Sequence, residues 1–223
     1  MRIENAIKEG FKQLKQNNIE SALLDSQILM SETINKDQKF IVLNPDKKIK
    51  NCDYEYFKKL ISFRAKGKPV AYLTGVKSFW NYDFFLNDKV LIPRPDSELI
   101  VEQVLKIYKN KRKINFLEVG VGSGCLILSI LKEKKLFSGT GIDISNYSIK
   151  ISNINAKKLK IRNRIKLFKS DIDNFNLGKY DLIISNPPYI KKLDYRNLKK
   201  DVKKFEPRLA LDGGLEGLSC FRK

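Results

Sequence analysis

Residues 114–124 read INFLEVGVGSG, and this stretch decides the fold more than any other part of the chain. An apolar, strand-like run ends at Val119, and three glycines follow at alternate positions before a helix-like run begins at Cys125. A glycine-rich turn between a strand and a helix lies at the carboxyl edge of an α/β sheet, where such sheets bind ligands. Glycine there lets the backbone approach a ligand closely. The spacing is G-x-G-x-G rather than the dinucleotide pattern G-x-G-x-x-G, and a purely structural turn is the second interpretation.

The sequence on both sides of this turn alternates between strand-like and helix-like patterns. From this alternation we predict strands at 114–119, 139–144, 165–169 and 180–185, and helices at 96–109, 125–134 and 145–159. Strands that alternate with helices indicate a parallel sheet covered on both faces. The expected fold class is therefore α/β, with a Rossmann-like domain over residues 93–223.

A different pattern precedes this domain. Apolar residues recur at helical spacing over residues 1–34, and shorter helix-like patterns follow at 36–43 and 53–66. We therefore predict a small helical bundle over residues 1–70. Residues 71–92 are rich in aromatic, β-prone side chains and carry a turn signal at Asn87-Asp88, which indicates a β-hairpin linker between the two domains.

Acidic residues stand at the ends of the predicted strands around the glycine turn. Asp143 ends the second strand, where a carboxylate can accept hydrogen bonds from two ribose hydroxyls or, alternatively, cap the next helix. Glu118 precedes the turn and could fix the amino-acid end of a cofactor. Asp171 and Ile172 follow the third strand and could border an adenine. Taken singly, each loop acid is more simply interpreted as a solvated side chain.

The fourth predicted strand ends in Asn186-Pro187-Pro188-Tyr189, a stiff turn. Both prolines have a fixed φ and lack an N–H, and they push the residues before them toward extended geometry. The Asn186 side-chain oxygen and a nearby backbone carbonyl can then accept both hydrogens of a planar NH2 group, while the Tyr189 ring stacks on its plane. Such a nitrogen is a weak nucleophile because its lone pair is delocalised, so we expect a strong electrophile as its partner.

The order of these features along the chain indicates a chemistry. A glycine turn, a ribose-type acid and an Asn-Pro-Pro-Tyr turn in succession are the layout of an S-adenosylmethionine-dependent amino methyltransferase. Displacement at a methyl carbon needs alignment and a polar clamp more than a base, and positioning can lower a barrier by up to ~7–11 kcal/mol. The chain contains no histidine, and this chemistry does not require one.

Segments outside the turn carry a more specific resemblance. They are Ala22–Asp25, Pro69–Gly75, Phe79-Trp80, Ile92–Glu98, and Phe205–Leu211 before Gly213-Gly214. Together with the Asn-Pro-Pro-Tyr turn, they make the chain resemble the bacterial release-factor glutamine methyltransferases over nearly its whole length. Proteins of that family modify the Gly-Gly-Gln motif of peptide chain release factors. One difference is Ser97, which stands where the family has threonine.

The resemblance implies a class I methyltransferase fold, with S-adenosyl-L-methionine as cofactor and a release factor as protein substrate. It places the cofactor beside Gly120, Val121, Gly122, Ser123, Gly124, Asp143, Ile172 and Asn186. It assigns the grip on the glutamine amide, and so the catalytic role, to Asn186, Pro187, Pro188 and Tyr189. It also brings Arg94 and Glu98 near the site, for which a helix-start ion pair is the plain alternative. Arg208 would pin the segment after the clamp.

The resemblance also affects what we expect of the sheet. A seven-stranded fold of this class would need about three more strands after Gly214, so we expect a C-terminally truncated domain. Two other functions stay open. One is a methyltransferase for exocyclic amines of nucleic acids, at adenine N6 or guanine N2. The other is an inactive, partner-binding protein.

Composition bounds these hypotheses. The chain of 223 residues carries 44 basic and 25 acidic side chains, which gives a net charge of +19. This surplus favours proximity to the ribosome or to nucleic acid, or reflects a lysine-rich composition alone. Three widely spaced cysteines without any histidine offer no metal-ligand cluster, so we expect no metal. No apolar signal or membrane segment is visible, so a cytoplasmic location is the expectation; the sequence sets no oligomeric state.

Overall fold

The computed structural model describes residues 1–222, which form two compact units. The first unit comprises Met1–Gly75 and Lys200–Phe205, and the second comprises Val76–Lys199 and the residues from Glu206 onward. Each unit has a hydrophobic core of its own. Within the described residues, no helix is both long and apolar enough to cross a membrane.

The first unit is helical, as the periodicity predicted. Its helices are α1 (Ile3–Gln16), α2 (Ala22–Ile34), α3 (Gln38–Leu43), α4 (Asn51–Ala65), α5 (Val70–Thr74) and, from a distant part of the chain, α9 (Lys200–Phe205). The apolar faces of α1, α2 and α4 meet in a core that contains Leu14, Leu29 and Phe57. Helices α5 and α9 were not predicted, because five or six residues are too few to show a helical period.

A buried ion pair joins α2 to α4 inside this unit. The Arg64 Nε atom lies 2.6 Å from Asp25 Oδ2, and both residues are less than 10% exposed. Arg64 also donates to the Lys68 carbonyl at 3.3 Å. A buried charge depends on its partner, because removal of one partner leaves the other charge desolvated and uncompensated.

Asp25→Ala is therefore expected to lower the free energy of unfolding by about 3–5 kcal/mol. Urea denaturation followed by far-ultraviolet circular dichroism measures this loss. The matched control is Asp46→Ala, because Asp46 pairs with Arg2 on the surface, where such a pair contributes only about 0–1 kcal/mol. An equal decrease in the free energy of unfolding in the two variants would show that the buried pair contributes no more to stability than the surface pair.

The second unit begins with a β-hairpin whose turn differs from the prediction. Strands β1 (Val76–Phe79) and β2 (Tyr82–Phe85) pair in antiparallel fashion across a turn at Trp80-Asn81. The predicted turn at Asn87-Asp88 is wrong as the hairpin turn, because residues 86–94 form no strand that could pair with β2.

Contacts distant in sequence explain this difference. Trp80 has a φ of 55°, which is uncommon for a bulky residue. Its backbone N–H donates to Glu98 at 2.7 Å, and its indole N–H donates to Glu133 at 2.9 Å. These two carboxylates stabilise a turn in which a residue as bulky as Trp80 is not expected.

A parallel sheet follows, as predicted. Its elements in chain order are α6 (Glu98–Ile107), β3 (Asn115–Val119), α7 (Cys125–Glu133), β4 (Ser138–Asp143), α8 (Asn146–Lys158), β5 (Ile165–Lys169) and β6 (Leu182–Ser185). The strand order is β5-β4-β3-β6, and all three pairings are parallel. The α/β fold class is thereby confirmed, and the strand and helix positions differ from the predicted ones by only a few residues.

Two glycines in β4 allow close packing beside the site. A Cβ atom on Gly139 would lie 2.8 Å from Ile127 of α7, and one on Gly141 would lie 2.8 Å from both Leu167 and Val121. The glycines thus let α7 and the turn residue Val121 approach the central strands closely. This contact fixes the position of the turn that follows β3.

Candidate functional site

A cavity of about 540 Å³ opens at the carboxyl edge of the parallel sheet. The chain leaves each of the four strands at this edge, and residues that end or follow every strand line the cavity. Of the predicted site residues, the lining contains Glu118, Gly120, Val121, Gly122, Ser123, Asp143, Asp171, Ile172, Asn186, Pro187 and Pro188. Gly124 and Tyr189 are not part of it.

The glycine turn presents bare backbone to this cavity. Gly120 and Gly122 have φ values of 76° and 53°, which favour glycine. A Cβ atom on Gly120 would meet no atom within 4 Å, so the space beside it is open to a ligand. Gly124 serves packing instead, since a Cβ atom there would lie 2.9 Å from Leu128.

A row of buried polar side chains on α8 holds the glycine turn. The Ser152 hydroxyl donates to the Gly122 carbonyl at 2.9 Å, and the Asn155 amide donates to the Ser123 carbonyl at 2.9 Å. The Asn155 amide also donates to the Phe85 carbonyl at 3.0 Å, and its oxygen accepts from the Phe85 N–H at 2.7 Å. Asn155 is fully buried and therefore couples the hairpin to the turn.

Ser152 and Asn155 were not among the predicted site residues. The available signal was the spacing of Ser148, Ser152 and Asn155, which places three polar side chains on one face of α8. All three are buried, whereas an ordinary polar helix face is exposed.

Asn155→Ala is expected to leave two carbonyls and one N–H of the turn and hairpin without their partners, at about 1–3 kcal/mol for each buried group. The melting temperature should fall. The control is Asn153→Ala on the same helix, because Asn153 donates only to the Ile149 carbonyl one turn earlier. Thermal unfolding of both variants measures the difference, and matching melting temperatures would contradict the coupling role.

Asp143 is oriented by the backbone of both neighbouring turns. Its Oδ2 atom accepts from the Gly122 N–H at 3.0 Å, and its Oδ1 atom accepts from the Ser145 N–H at 2.8 Å. The alternative that Asp143 caps the next helix is wrong, because Ser145 is the N-cap residue and accepts from the Ser148 N–H. Each carboxylate oxygen keeps a second lone pair, so Asp143 can still accept from a ligand.

Glu118 is nearly inaccessible to solvent although it belongs to the cavity wall. Its carboxylate accepts from the Ile127 N–H of α7 at 3.0 Å. Burial raises the pKa of Glu118 well above its usual range, an effect that the hydrogen bond from Ile127 reduces and the nearby Asp143 charge increases. Burial also raises the pKa of the adjacent Cys125 thiol to about 12, so this thiol is protonated at neutral pH.

The raised pKa of Glu118 predicts a pH dependence of stability. The folded protein holds this proton more tightly than the unfolded chain, so its contribution to stability is complete below the ordinary glutamate pKa. That contribution is lost as pH rises through the raised value. In Glu118→Gln the loss should disappear, so the stability of this variant relative to the wild type should increase with pH. Urea unfolding across pH 5–8 measures this, and parallel pH profiles would contradict it.

The Asn186 side chain is anchored by Ser97, which lies just before α6. Its amide nitrogen donates to the Ser97 hydroxyl at 2.9 Å, and Ser97 is buried just before α6. This bond fixes the orientation of the amide and leaves its oxygen as an acceptor. The hydroxyl of the preceding Ser185 donates to the Val119 carbonyl at 2.9 Å, which ties the end of β6 to the end of β3.

The chain beyond the Asn186-Pro187-Pro188-Tyr189 turn is held by a short pairing of its own. Ile190 forms a parallel bridge with Asp212, and Gly213 donates to the Ile190 carbonyl at 2.8 Å. A Cβ atom on Gly213 would lie 2.8 Å from the Tyr189 backbone, so glycine is needed for this approach. Arg208 donates to Asp212 at 3.2 Å, which agrees with the expectation that it pins this segment. The Tyr189 side chain is exposed.

Arg94 lies at the cavity as expected, whereas Glu98 does not line it. Arg94 lines the cavity, but its guanidinium pairs with Glu206 at 2.7 Å, so the helix-start pair with Glu98 is not formed. Glu98 is absent from the lining and accepts from Trp80 instead. Glu206, which we did not predict, is buried and also accepts from the Ile92 N–H at 3.3 Å.

Two family models match the chain. The model described as "PrmC N-terminal domain" matches residues 5–75, and the model described as "Methyltransferase small domain" matches residues 95–215. The second match includes the predicted site residues from Glu118 to Tyr189.

Two proteins with similar sequences carry the name of the family that the sequence resembles, and a third is named a bifunctional methyltransferase. A release factor glutamine methyltransferase of Clostridium acetobutylicum is 35% identical over 100% of this chain and 79% of its own length. The protein of the same name from Clostridium botulinum is 36% identical over 98% of this chain and 78% of its own length. A bifunctional methyltransferase of Rickettsia conorii is 31% identical over 98% of this chain, which spans 47% of that protein.

Solved structures are less similar. An RNA methyltransferase from Salinibacter ruber in complex with S-adenosyl-L-homocysteine is 16% identical over 52% of this chain and 72% of that chain, with a TM-score of 0.38. A similarity this low sets no constraint on function.

Proposed function

Because the chain belongs to the release factor glutamine methyltransferase family, we propose that it methylates the side-chain amide nitrogen of a glutamine in a peptide chain release factor. The target would be the glutamine of a Gly-Gly-Gln motif. The observation that carries this proposal is the shared cavity. The turn that begins at Asn186 lines the same space as the glycine turn and Asp143, so a donor and an amide acceptor can meet there.

The residues present fit S-adenosyl-L-methionine, which supplies an activated methyl group when bound. Open space beside Gly120 admits a ligand close to the backbone. The free lone pairs of Asp143 suit ribose hydroxyls, and Asp171 and Ile172 provide the border for an adenine on the next loop. The buried Glu118 suits the ammonium of an amino-acid end, since a nearby cation stabilises the ionised carboxylate.

The glutamine amide would be held by the turn after β6. The Asn186 oxygen is left as an acceptor by the bond from Asn186 to Ser97, so it can accept one amide hydrogen of the substrate. Pro187 and Pro188 fix the backbone around this acceptor. A rigid acceptor of this kind fixes the orientation of the nitrogen before reaction, and such positioning is a major part of catalysis in bimolecular transfers.

We further propose that residues 1–70 recognise the release factor and that residues 93–223 carry out the methyl transfer. Residues 71–92 would connect these two parts of the chain. The support is the family model over residues 5–75, which covers the helical unit but none of the cavity residues.

The direct test is methyl transfer to a purified release factor that contains Gly-Gly-Gln. After incubation with S-adenosyl-L-methionine, mass spectrometry of the tryptic peptide should show one added methyl group on the glutamine. RNA and DNA serve as alternative acceptors in parallel reactions. Transfer to nucleic acid alone would replace the proposal with the exocyclic-amine hypothesis. Cofactor binding without transfer to any acceptor would contradict both.

Asn186→Ala is expected to lower kcat by about 10²–10³-fold, by analogy with the loss of one polar group that acts in a transition state, about 2.7–4 kcal/mol. Cofactor affinity, measured by calorimetry, should change little because Asp143 and the glycine turn remain. The control is Asn110→Ala, since Asn110 is exposed and outside the cavity. Unchanged turnover in Asn186→Ala would exclude the clamp role.

A further inference from the structure

The basic side chains of the second unit are concentrated where the chain enters the sheet. Three connections, at residues 108–114, 134–137 and 159–164, lead into β3, β4 and β5. Together they contain nine lysine or arginine residues and no aspartate or glutamate. The high density of positive charge at this edge therefore has no acidic compensation within the same connections.

The connections at the opposite edge of the sheet differ in their content of basic residues. The segments that leave the four parallel strands, at residues 120–124, 144–145, 170–171 and 186–189, contain no lysine or arginine. A lysine-rich composition alone would place basic residues at both edges. Basic residues are instead denser in the connections that enter β3, β4 and β5 than in those that leave the strands, although Lys89 and Arg94 from the segment before α6 also line the cavity.

The three connections form one continuous surface. Their strands begin side by side, because Asn115 pairs with Ser138 and Gly139 pairs with Ile165. The Lys134 amino group donates to the Lys109 carbonyl at 3.0 Å, which joins the first two connections. The Arg164 guanidinium donates to the Lys134 carbonyl at 3.0 Å, which joins the second to the third.

Most of the cations on this surface are available to a partner. Lys134 and Arg164 are partly buried by these contacts, while the other seven are exposed: Lys109, Lys111, Arg112, Lys113, Lys135, Lys160 and Arg162. None of the seven forms a salt bridge within residues 1–222. Like charges at this density repel one another, so a polyanion would stabilise the surface.

Helix dipoles do not account for the surplus. Helices α6, α7 and α8 end just before these connections, and each carbonyl terminus carries roughly −0.5 elementary charge. Three such termini offset about one and a half positive charges. Nine cations exceed this several-fold.

We propose that this surface, defined by residues 108–114, 134–137 and 159–164, binds the phosphate backbone of RNA. A duplex presents one negative charge per about 1.7 Å of its axis, which suits a dense cluster of unpaired cations. Six of the nine cations are lysines, which act as point charges and favour contacts independent of base sequence. A membrane surface would call for an amphipathic helix, whereas these cations lie on connections. Binding at this edge leaves the cavity accessible to its own substrate.

The test uses a fluorescein-labelled RNA hairpin of about 20 base pairs and fluorescence anisotropy at several salt concentrations. The full chain is expected to bind with a dissociation constant of about 10⁻⁴–10⁻⁶ M near physiological salt. The triple variant K111Q/R112Q/K113Q should bind at least tenfold more weakly. The slope of log K against log salt should shrink by about one for each phosphate contact removed.

The matched control is K12Q/K15Q/K39Q, which removes the same charge from exposed positions of the helical unit. RNA affinity should be retained in this control. Equal weakening in both variants would show that net charge alone attracts RNA and would overturn the proposal. Preference for poly-glutamate or for anionic vesicles over RNA would overturn it as well. Methyl transfer to a release factor should be unchanged in K111Q/R112Q/K113Q, whose positions lie outside the cavity lining and outside residues 1–70, so this test stands apart from that of the proposed function.

Discussion

Parallel pairing of four strands is the constraint on which the rest of the second unit depends. It brings the carboxyl ends of β3, β4, β5 and β6 to one edge, although their residues are scattered over the sequence. A single cavity is then lined by the glycine turn, by Asp143 and by Asn186. The same pairing brings the amino ends together at the other edge, which gathers the basic connections before β3, β4 and β5 on one surface.

The sequence predicted the long, periodic elements well, and it failed where distant contacts decide the structure. All four parallel strands were predicted, because β3 and β6 contain apolar runs and the segments of β4 and β5 alternate with helix-like segments. The hairpin turn was placed at Asn87-Asp88, a good local signal, but Glu98 and Glu133 stabilise the turn at Trp80 instead. Local residue type cannot reveal a hydrogen bond to a carboxylate 53 residues away.

In the candidate site, too, local sequence predicts some residues, and contacts distant in sequence determine others. Residues that face the cavity could be predicted from motifs, because ligand chemistry restricts which residue types can stand there. The residues that hold them in place could not. Ser97 lies 89 residues from Asn186, and Asn155 lies 70 residues from Phe85, so only the folded chain shows these partners. The supporting polar groups on α8 and before α6 are buried, and their conformation depends on packing rather than on local sequence.

The contact between Arg94 and Glu206 has a consequence for folding during synthesis on the ribosome. The two partners are separated by 112 residues, and Glu206 also accepts from the Ile92 backbone 114 residues earlier. Domains generally fold during synthesis as their residues emerge, at about 5–20 residues per second. At that rate, Glu206 is synthesised about 6–22 s after Arg94, so the ion pair at the cavity wall can form only after this delay. A nascent chain acquires its ligand-binding form late, after most of its sheet has already been made.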